Sequence, residues 1–181
     1  MIKDFAAFIL SHGRADNVIT YNTLRKTGYT GDIYIIIDNE DKTAQDYYDR
    51  FGDKVVMFDK KKVSETFDEA DNFIQLDDDY TTFRFSANDK GKYITSNTSI
   101  TNLDNIFNAM LNFYKTTNIH SIAMAQGGDF IGGENSRVFK EKLARKCMNS
   151  FICSTDRPFK FVGRINEDVN NYTHKGSIGY L

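Results

Sequence analysis

Short, almost wholly apolar runs alternate with amphipathic stretches through the first sixty residues, and this alternation constrains the fold more than any other feature of the chain. The runs are FAAFIL, IYIIID and VVMF, and the stretches between them are NVITYNTLRKTG and TAQDYYDRFG. Apolar runs this short, without polar alternation, are typical of strands buried on both faces of a parallel sheet. The stretches between them carry apolar residues at helical spacing. The predicted order is therefore strand, helix, strand, helix, strand, the start of an α/β fold. The first helix has an explicit stop, because Lys26 and Thr27 are followed by Gly28 in the position where a left-handed residue ends a helix. Right-handed crossovers put the ligand side of such a sheet at the carboxyl edge of its strands. The segments at that edge are Ser11-His12-Gly13-Arg14, Asp38-Asn39-Glu40-Asp41 and Asp59-Lys60-Lys61-Lys62.

Further along, the polar stretch KKKVSETFDEADNF leads into FIQLDDDYTTFRF, and residues 86–100 are polar with turn signals at Asn88-Asp89 and Gly91, a loop or a β-excursion. Leu103, Ile106, Phe107, Met110, Leu111 and Tyr114 recur at helical spacing and predict the strongest amphipathic helix of the chain. IHSIAMA reads as a strand, QGGDFIGGENS as a glycine-rich loop, RVFKEKLARK as a basic helix and MNSFICS as another strand. No repeat or linker divides the 181 residues, which amount to one domain, large enough to fold around its own core. Cys147 and Cys153 have no histidine pair nearby, which argues against a zinc set or a disulfide framework and for two thiols in a reducing cytosol. No apolar run approaches the length of a membrane span, and FAAFIL is too short and too close to Met1 for a signal peptide. A cytoplasmic protein is expected. Its formal charge of −2 excludes a chain held to nucleic acid by bulk charge, so any polyanion contact has to be local.

Among chemistry-bearing residues the densest cluster is Asp77-Asp78-Asp79, directly after the apolar run that ends at Leu76. Three adjacent carboxylates repel one another, and either solvent or a hard cation relieves that repulsion. In an extended segment Asp77 and Asp79 share one side, where they could face a single Mg²⁺ or Mn²⁺ completed by water and phosphate oxygens; a solvated acidic turn is the alternative reading. An EF-hand is excluded by the missing glycine and glutamate, and a Walker loop by the absence of its lysine motif. SHGRADN can instead offer the Arg14 fork and backbone N–H groups to an anion. Asn166-Glu167-Asp168 forms a second acidic cluster, with His174 and a glycine turn just beyond; it reads as a general base with a proton handler or metal ligand, or as a helix cap. The glycine loop over residues 126–133, with Gly127, Gly128, Gly132 and Gly133, would permit close backbone approach to something, or simply mobility. The stripe Arg137, Lys140, Lys142, Arg145 and Lys146 would meet phosphates or form a solvated helix face. No Ser/His/Asp or Cys/His arrangement supports covalent catalysis.

The segments FILSHGRADNVITYNTLRKTGYTGDIYIIIDNED, LDDDYTTFRF and GRINEDVNNYTHKGSIGYL, in that order, resemble bacteriophage glycosyltransferases of the GT-A fold. The particular group resembled is the one found beside TET-like oxygenases, whose acceptor is taken to be a hydroxymethylated pyrimidine in DNA. The resemblance implies a single GT-A-like domain over residues 1–181, with a Rossmann-like, mostly parallel sheet flanked by helices. It also implies a nucleotide-sugar donor, a UDP-sugar foremost, together with Mn²⁺ or Mg²⁺, no membrane partner, and the host cytoplasm as location for a phage-encoded protein. Donor-binding positions fall on Ser11, His12, Gly13, Arg14, Asp38, Asp77 and Asp78. The metal ligands fall on Asp79, Asp77 and His174, and the catalytic carboxylate of inverting members falls on Asp168 or Glu167. The acceptor side then belongs to Gly127, Gly128, Arg137, Lys142, Arg145 and Lys146. The chain departs from the pattern in its short third crossover, near Val63 to Asp71, and in ending at Leu181 where a strand is expected to continue. Two rivals share the plan: a sugar-phosphate nucleotidyltransferase, whose glycine- and arginine-rich opening SHGRADN lacks, and a non-catalytic DNA-binding module with a degenerate donor site.

Overall fold

A computed structural model describes residues 5–60, 70–94, 100–136, 140 and 150–157. The strands are β1 (Phe5–Leu10), β2 (Asp32–Asp38), β3 (Val55–Phe58), β4 (Asn72–Asp77), β5 (Ile122–Ala123) and β6 (Ser150–Ser154); the helices are α1 (Ile19–Lys26), α2 (Ala44–Phe51) and α3 (Leu103–Lys115). The six strands form one sheet in the order β3-β2-β1-β4-β6-β5. Strands β1 to β4 are mutually parallel, and β6 runs antiparallel to both β4 and β5. This is a Rossmann-like, mostly parallel α/β sheet flanked by helices, the architecture of a GT-A-like domain.

The side-chain period of two along the strands divides the core in two. Ala7 and Ile9 of β1, Ile33, Ile35 and Ile37 of β2, and Ile74 and Leu76 of β4 face the larger cluster, where Leu24, Tyr47, Phe107 and Leu111 reach them from the three helices. Phe107 is its aromatic hub, edge-on to Phe5 and Tyr29 with centroids 5.9 and 5.4 Å away. Ala6, Phe8 and Ile36 are buried on the opposite face, which explains the uninterrupted apolar runs. Consecutive right-handed crossovers that step in one direction, β1 to β2 to β3, place α1 and α2 on the same face. At the end of α1, Gly28 adopts φ +88°, and a Cβ there would lie 2.3 Å from the carbonyl oxygen of Thr101. The expected stop is therefore enforced twice, by backbone conformation and by close approach.

One expectation needs adjustment: IHSIAMA contracts to the two-residue β5, a half-buried edge strand. MNSFICS supplies the expected strand, β6, which lies antiparallel between β4 and β5. Within residues 86–100 the small β-excursion closes through the antiparallel bridge between Ala87 and Tyr93. Because β4 pairs with β1, the chain from Phe58 to Asn72 must pass three strand positions, about 14 Å laterally. Residues 59–71 can span up to about 43 Å, so the short crossover is long enough.

Candidate functional site

Strand order reverses between β1 and β4, and open α/β sheets bind ligands at such a point, beyond the carboxyl ends of the strands. Leu10 pairs with Asp77 on one side and Ile36 on the other, so this register sets the residues after β1 directly beside the acidic turn after β4. A cleft of about 400 Å³ opens there, floored by Leu10 and Ile36 and walled by Ser11, His12, Arg14, Asp38, Phe58 and Asp77 to Asp79. Six of the seven expected donor-side residues, all except Gly13, thus line one cavity, and the expected ligand Asp79 lines it too.

The first loop is held by an ordered chain of hydrogen bonds. The Arg14 N–H donates to the Tyr47 hydroxyl (2.8 Å), which lies 2.8 Å from Ser11 Oγ; Ser11 donates in turn to Asp78 Oδ2 (2.6 Å). With the Ser11 proton on Asp78, the Tyr47 proton goes to Ser11, so the chain runs in one direction and its members polarise one another. Arg14 Nη1 closes the circuit on Asp78 Oδ1 at 3.0 Å. Burial pushes the Tyr47 phenol above its ordinary value, against the lowering effect of its bonds to Ser11 and the Arg14 N–H, which keeps it a proton donor at neutral pH. Beside this chain, His12 Nδ1 lies 2.7 Å from Asp38 Oδ2, while Asp38 Oδ1 accepts the Glu40 N–H. Asp41 accepts the N–H of Gly13 (2.7 Å) and both the N–H and the hydroxyl of Thr43. Burial works to raise the Asp41 carboxyl, but these three bonds outweigh it and hold the carboxyl below its usual value. The amides of Gly13 and Arg14 are thus spent inside the protein, and the anion-binding capacity of this loop resides in the Arg14 guanidinium, whose side chain is 56% exposed.

The acidic run does not continue as a strand. β4 ends at Asp77, and Asp78 and Asp79 form a turn. The period of two set by Asn72, Ile74 and Leu76 carries on to Asp78, which is buried against Ser11 and Arg14, while Asp79 is exposed and Asp77 half-buried. Thr20, fully buried in the first turn of α1, secures this turn: its hydroxyl donates to the Asp77 carbonyl (2.6 Å) and accepts the Tyr80 N–H (2.8 Å), and its own N–H donates to the Asp78 carbonyl (3.0 Å). Burial raises the Tyr80 phenol, Asp77 and Asp79 push it further up, and a side-chain bond to Gln126 acts against both, tying the acidic turn to the glycine-rich segment. Among the described residues no group of three His, Cys, Asp or Glu side chains converges as a metal-ligand set. With Asp78 engaged by Ser11 and Arg14, the donor set at the mouth is Asp77 and Asp79. Two carboxylate oxygen donors suit Mg²⁺ or Mn²⁺, which retain water and take phosphate oxygens.

In the glycine-rich segment, Gly127 and Gly128 begin a short 3₁₀ turn over Gly127–Phe130, and a Cβ on either would meet nothing within 4 Å. The close approach expected of this loop occurs at Gly133, where φ is +57° and a Cβ would lie 3.1 Å from the Tyr93 ring. Lys60 pairs with Glu40 at 3.4 Å. Lys140 is helical and exposed; Arg137, Lys142, Arg145, Lys146, Glu167, Asp168 and His174 lie outside the described residues. Sequence reasoning missed Thr20 and Tyr47, and it placed Asp41 at the ligand edge without a role. The one available signal was Tyr47, a tyrosine on the apolar face of an amphipathic helix, whose hydroxyl must find a partner when buried.

A Rossmann-like sheet with a cleft at its switch point, walled by the first loop and an acidic turn, places the chain among the doubly wound α/β proteins, which bind ligands at that crevice. Within that class, the family model for TET-Associated Glycosyltransferase matches residues 5–181, and the chain belongs to that family: it is a glycosyltransferase. No curated protein and no solved structure matches the chain. Among the described residues no helix is long and apolar enough to cross a membrane.

Proposed function

We propose that the chain transfers a sugar from a nucleotide donor, a UDP-sugar foremost, to the hydroxyl of a hydroxymethylated pyrimidine in DNA, with inversion at the sugar and with Mn²⁺ or Mg²⁺ as cofactor. The observation that carries this reading is the meeting of the first loop and the acidic turn around one cleft at the switch point. Asp38 and His12 form the wall suited to the nucleoside, and Arg14 reaches the diphosphate while its bond to Asp78 fixes its direction. Asp79 and Asp77 would hold the divalent cation, which offsets charge developing on the departing diphosphate. Asp168 or Glu167 takes the proton from the attacking hydroxyl as it approaches the sugar from the face opposite the diphosphate. Gly127, Gly128 and the stripe Arg137, Lys142, Arg145 and Lys146 lie on the acceptor side, where the basic residues follow DNA phosphates without reading sequence.

The test is sugar transfer from a panel of nucleotide sugars to DNA containing hydroxymethylated pyrimidines, read by mass spectrometry of the released nucleosides. Asp79→Asn is expected to abolish metal-dependent donor binding. Asp168→Asn should retain binding and lose about 10²–10⁴ in turnover, as expected for a lost general base; if Glu167→Gln shows that loss instead, the roles within the pair are exchanged. Transfer at an unchanged rate in EDTA contradicts the proposal.

A further inference from the structure

We propose that Thr20 is a positioning residue for the donor site: it sets the acidic turn in the shape that presents Asp77 and Asp79 to the donor diphosphate and its cation. The inference rests on the donor reading above. In many four-residue turns the first carbonyl bonds the last amide directly. Here the Thr20 hydroxyl stands between those two groups, donating to the Asp77 carbonyl at 2.6 Å and accepting from the Tyr80 N–H at 2.8 Å. Its single proton is thereby assigned. The N–H of the same residue, one of the amides that the first turn of a helix leaves without an intrahelical partner, reaches the Asp78 carbonyl at 3.0 Å. Val18, which precedes α1, contributes no side-chain cap. The start of α1 and the acidic turn therefore complete each other, and one residue grips three of the four residues from Asp77 to Tyr80.

The grip is buried, since Thr20 has no exposed surface, so water cannot replace it readily. A methyl group in place of the hydroxyl bonds neither the carbonyl nor the amide and needs more room than the two hydrogen bonds at 2.6 and 2.8 Å leave. The turn then opens, and Asp77 and Asp79 are re-aimed. Groups that orient metal-binding carboxylates from behind typically account for 10–100-fold in metal affinity or activity.

Titration calorimetry with UDP tests this, in Mn²⁺ and in EDTA, on the parent, Thr20→Val and Thr20→Ser. Valine keeps the shape without the hydroxyl; serine keeps the hydroxyl. We expect Thr20→Val to weaken UDP binding in Mn²⁺ by 10–100-fold and to shrink the ratio of affinities in Mn²⁺ and EDTA, with serine restoring both. A merely structural role would lower the melting temperature and leave that ratio unchanged. Should the valine variant not fold, hydrogen exchange on the parent serves: the Tyr80 amide should gain protection from UDP with Mn²⁺ and none from UDP in EDTA. Parent-like binding by Thr20→Val, or an unresponsive Tyr80 amide in a parent that binds UDP, overturns the role of Thr20 alone. A parent that binds no UDP in Mn²⁺ overturns the donor reading and this inference with it.

Discussion

Replacing Asp78 with asparagine separates the three adjacent aspartates by role. Both carboxylate oxygens of Asp78 are engaged, Oδ2 by the Ser11 hydroxyl at 2.6 Å and Oδ1 by Arg14 Nη1 at 3.0 Å, and the residue is 6% exposed. Asparagine presents a donor to one of these two donors. Because asparagine is neutral, the Arg14 guanidinium loses its anion whichever way the amide points; with Arg14 half-exposed, that pair contributes no more than about 1 kcal/mol. If the amide faces Ser11, the Ser11 proton must turn toward Tyr47, which already accepts the Arg14 N–H, and the Tyr47 proton is displaced in turn. A hydrogen bond to a charged group contributes roughly 1.5–3 kcal/mol. The expected cost of Asp78→Asn is therefore about 2–4 kcal/mol, or a fall in melting temperature of roughly 5–15 °C for a domain of this size. Asp79 is exposed, and Asp79→Asn should stay within about 0.5 kcal/mol of the parent. Thermal and urea unfolding of the two variants side by side make the comparison. A melting temperature for Asp78→Asn within 1 °C of the parent, or an equal loss for Asp79→Asn, would refute the view of Asp78 as the buried anchor of the turn.

Two further outcomes follow from the same geometry. The Asp41 carboxyl is held below its ordinary value in the folded protein, so its contribution to stability is present above the unfolded value of about 3.9 and is lost as pH falls through the folded one; Asp41→Asn should flatten the decline of melting temperature below about pH 4, and an unchanged acid limb would disprove this. Gly28→Ala should cost at least about 2 kcal/mol, because it combines a left-handed backbone with a 2.3 Å approach to Thr101, whereas Gly127→Ala should be nearly neutral; a calorimetric scan showing equal effects would remove the argument.

The parallel strands and the stop of α1 were legible because they depend on local signals: apolar runs over 5–10, 33–38 and 55–58, and a glycine after a basic last turn. The cleft residues were legible for a similar reason, since residues after parallel strands must gather at one edge. What escaped was decided by tertiary partners. The partners that bury Asp78, Ser11 and Arg14, come from the loop after a neighbouring strand and leave no mark in the local sequence. Thr20 looked like an ordinary helix residue, because a threonine hydroxyl announces no partner in sequence, and the apolar face that carries Tyr47 says that its hydroxyl needs a partner but not which. The direction of β6 was hidden by the pattern that revealed its burial. Composition singled out the glycine loop 126–133 as a whole, but only tertiary packing picks Gly133 as its close contact.

The central claim is that the cleft between the first loop and the acidic turn takes a nucleoside diphosphate only together with a divalent cation. Melting of the purified protein with UDP, in Mn²⁺ and in EDTA, tests it most directly. At 100 times the dissociation constant the stabilisation should be about 2.7 kcal/mol, or roughly 5–10 °C, in Mn²⁺ and absent in EDTA, where Asp77 and Asp79 repel the pyrophosphate. A shift of the same size in EDTA, or none in either condition, would contradict the account.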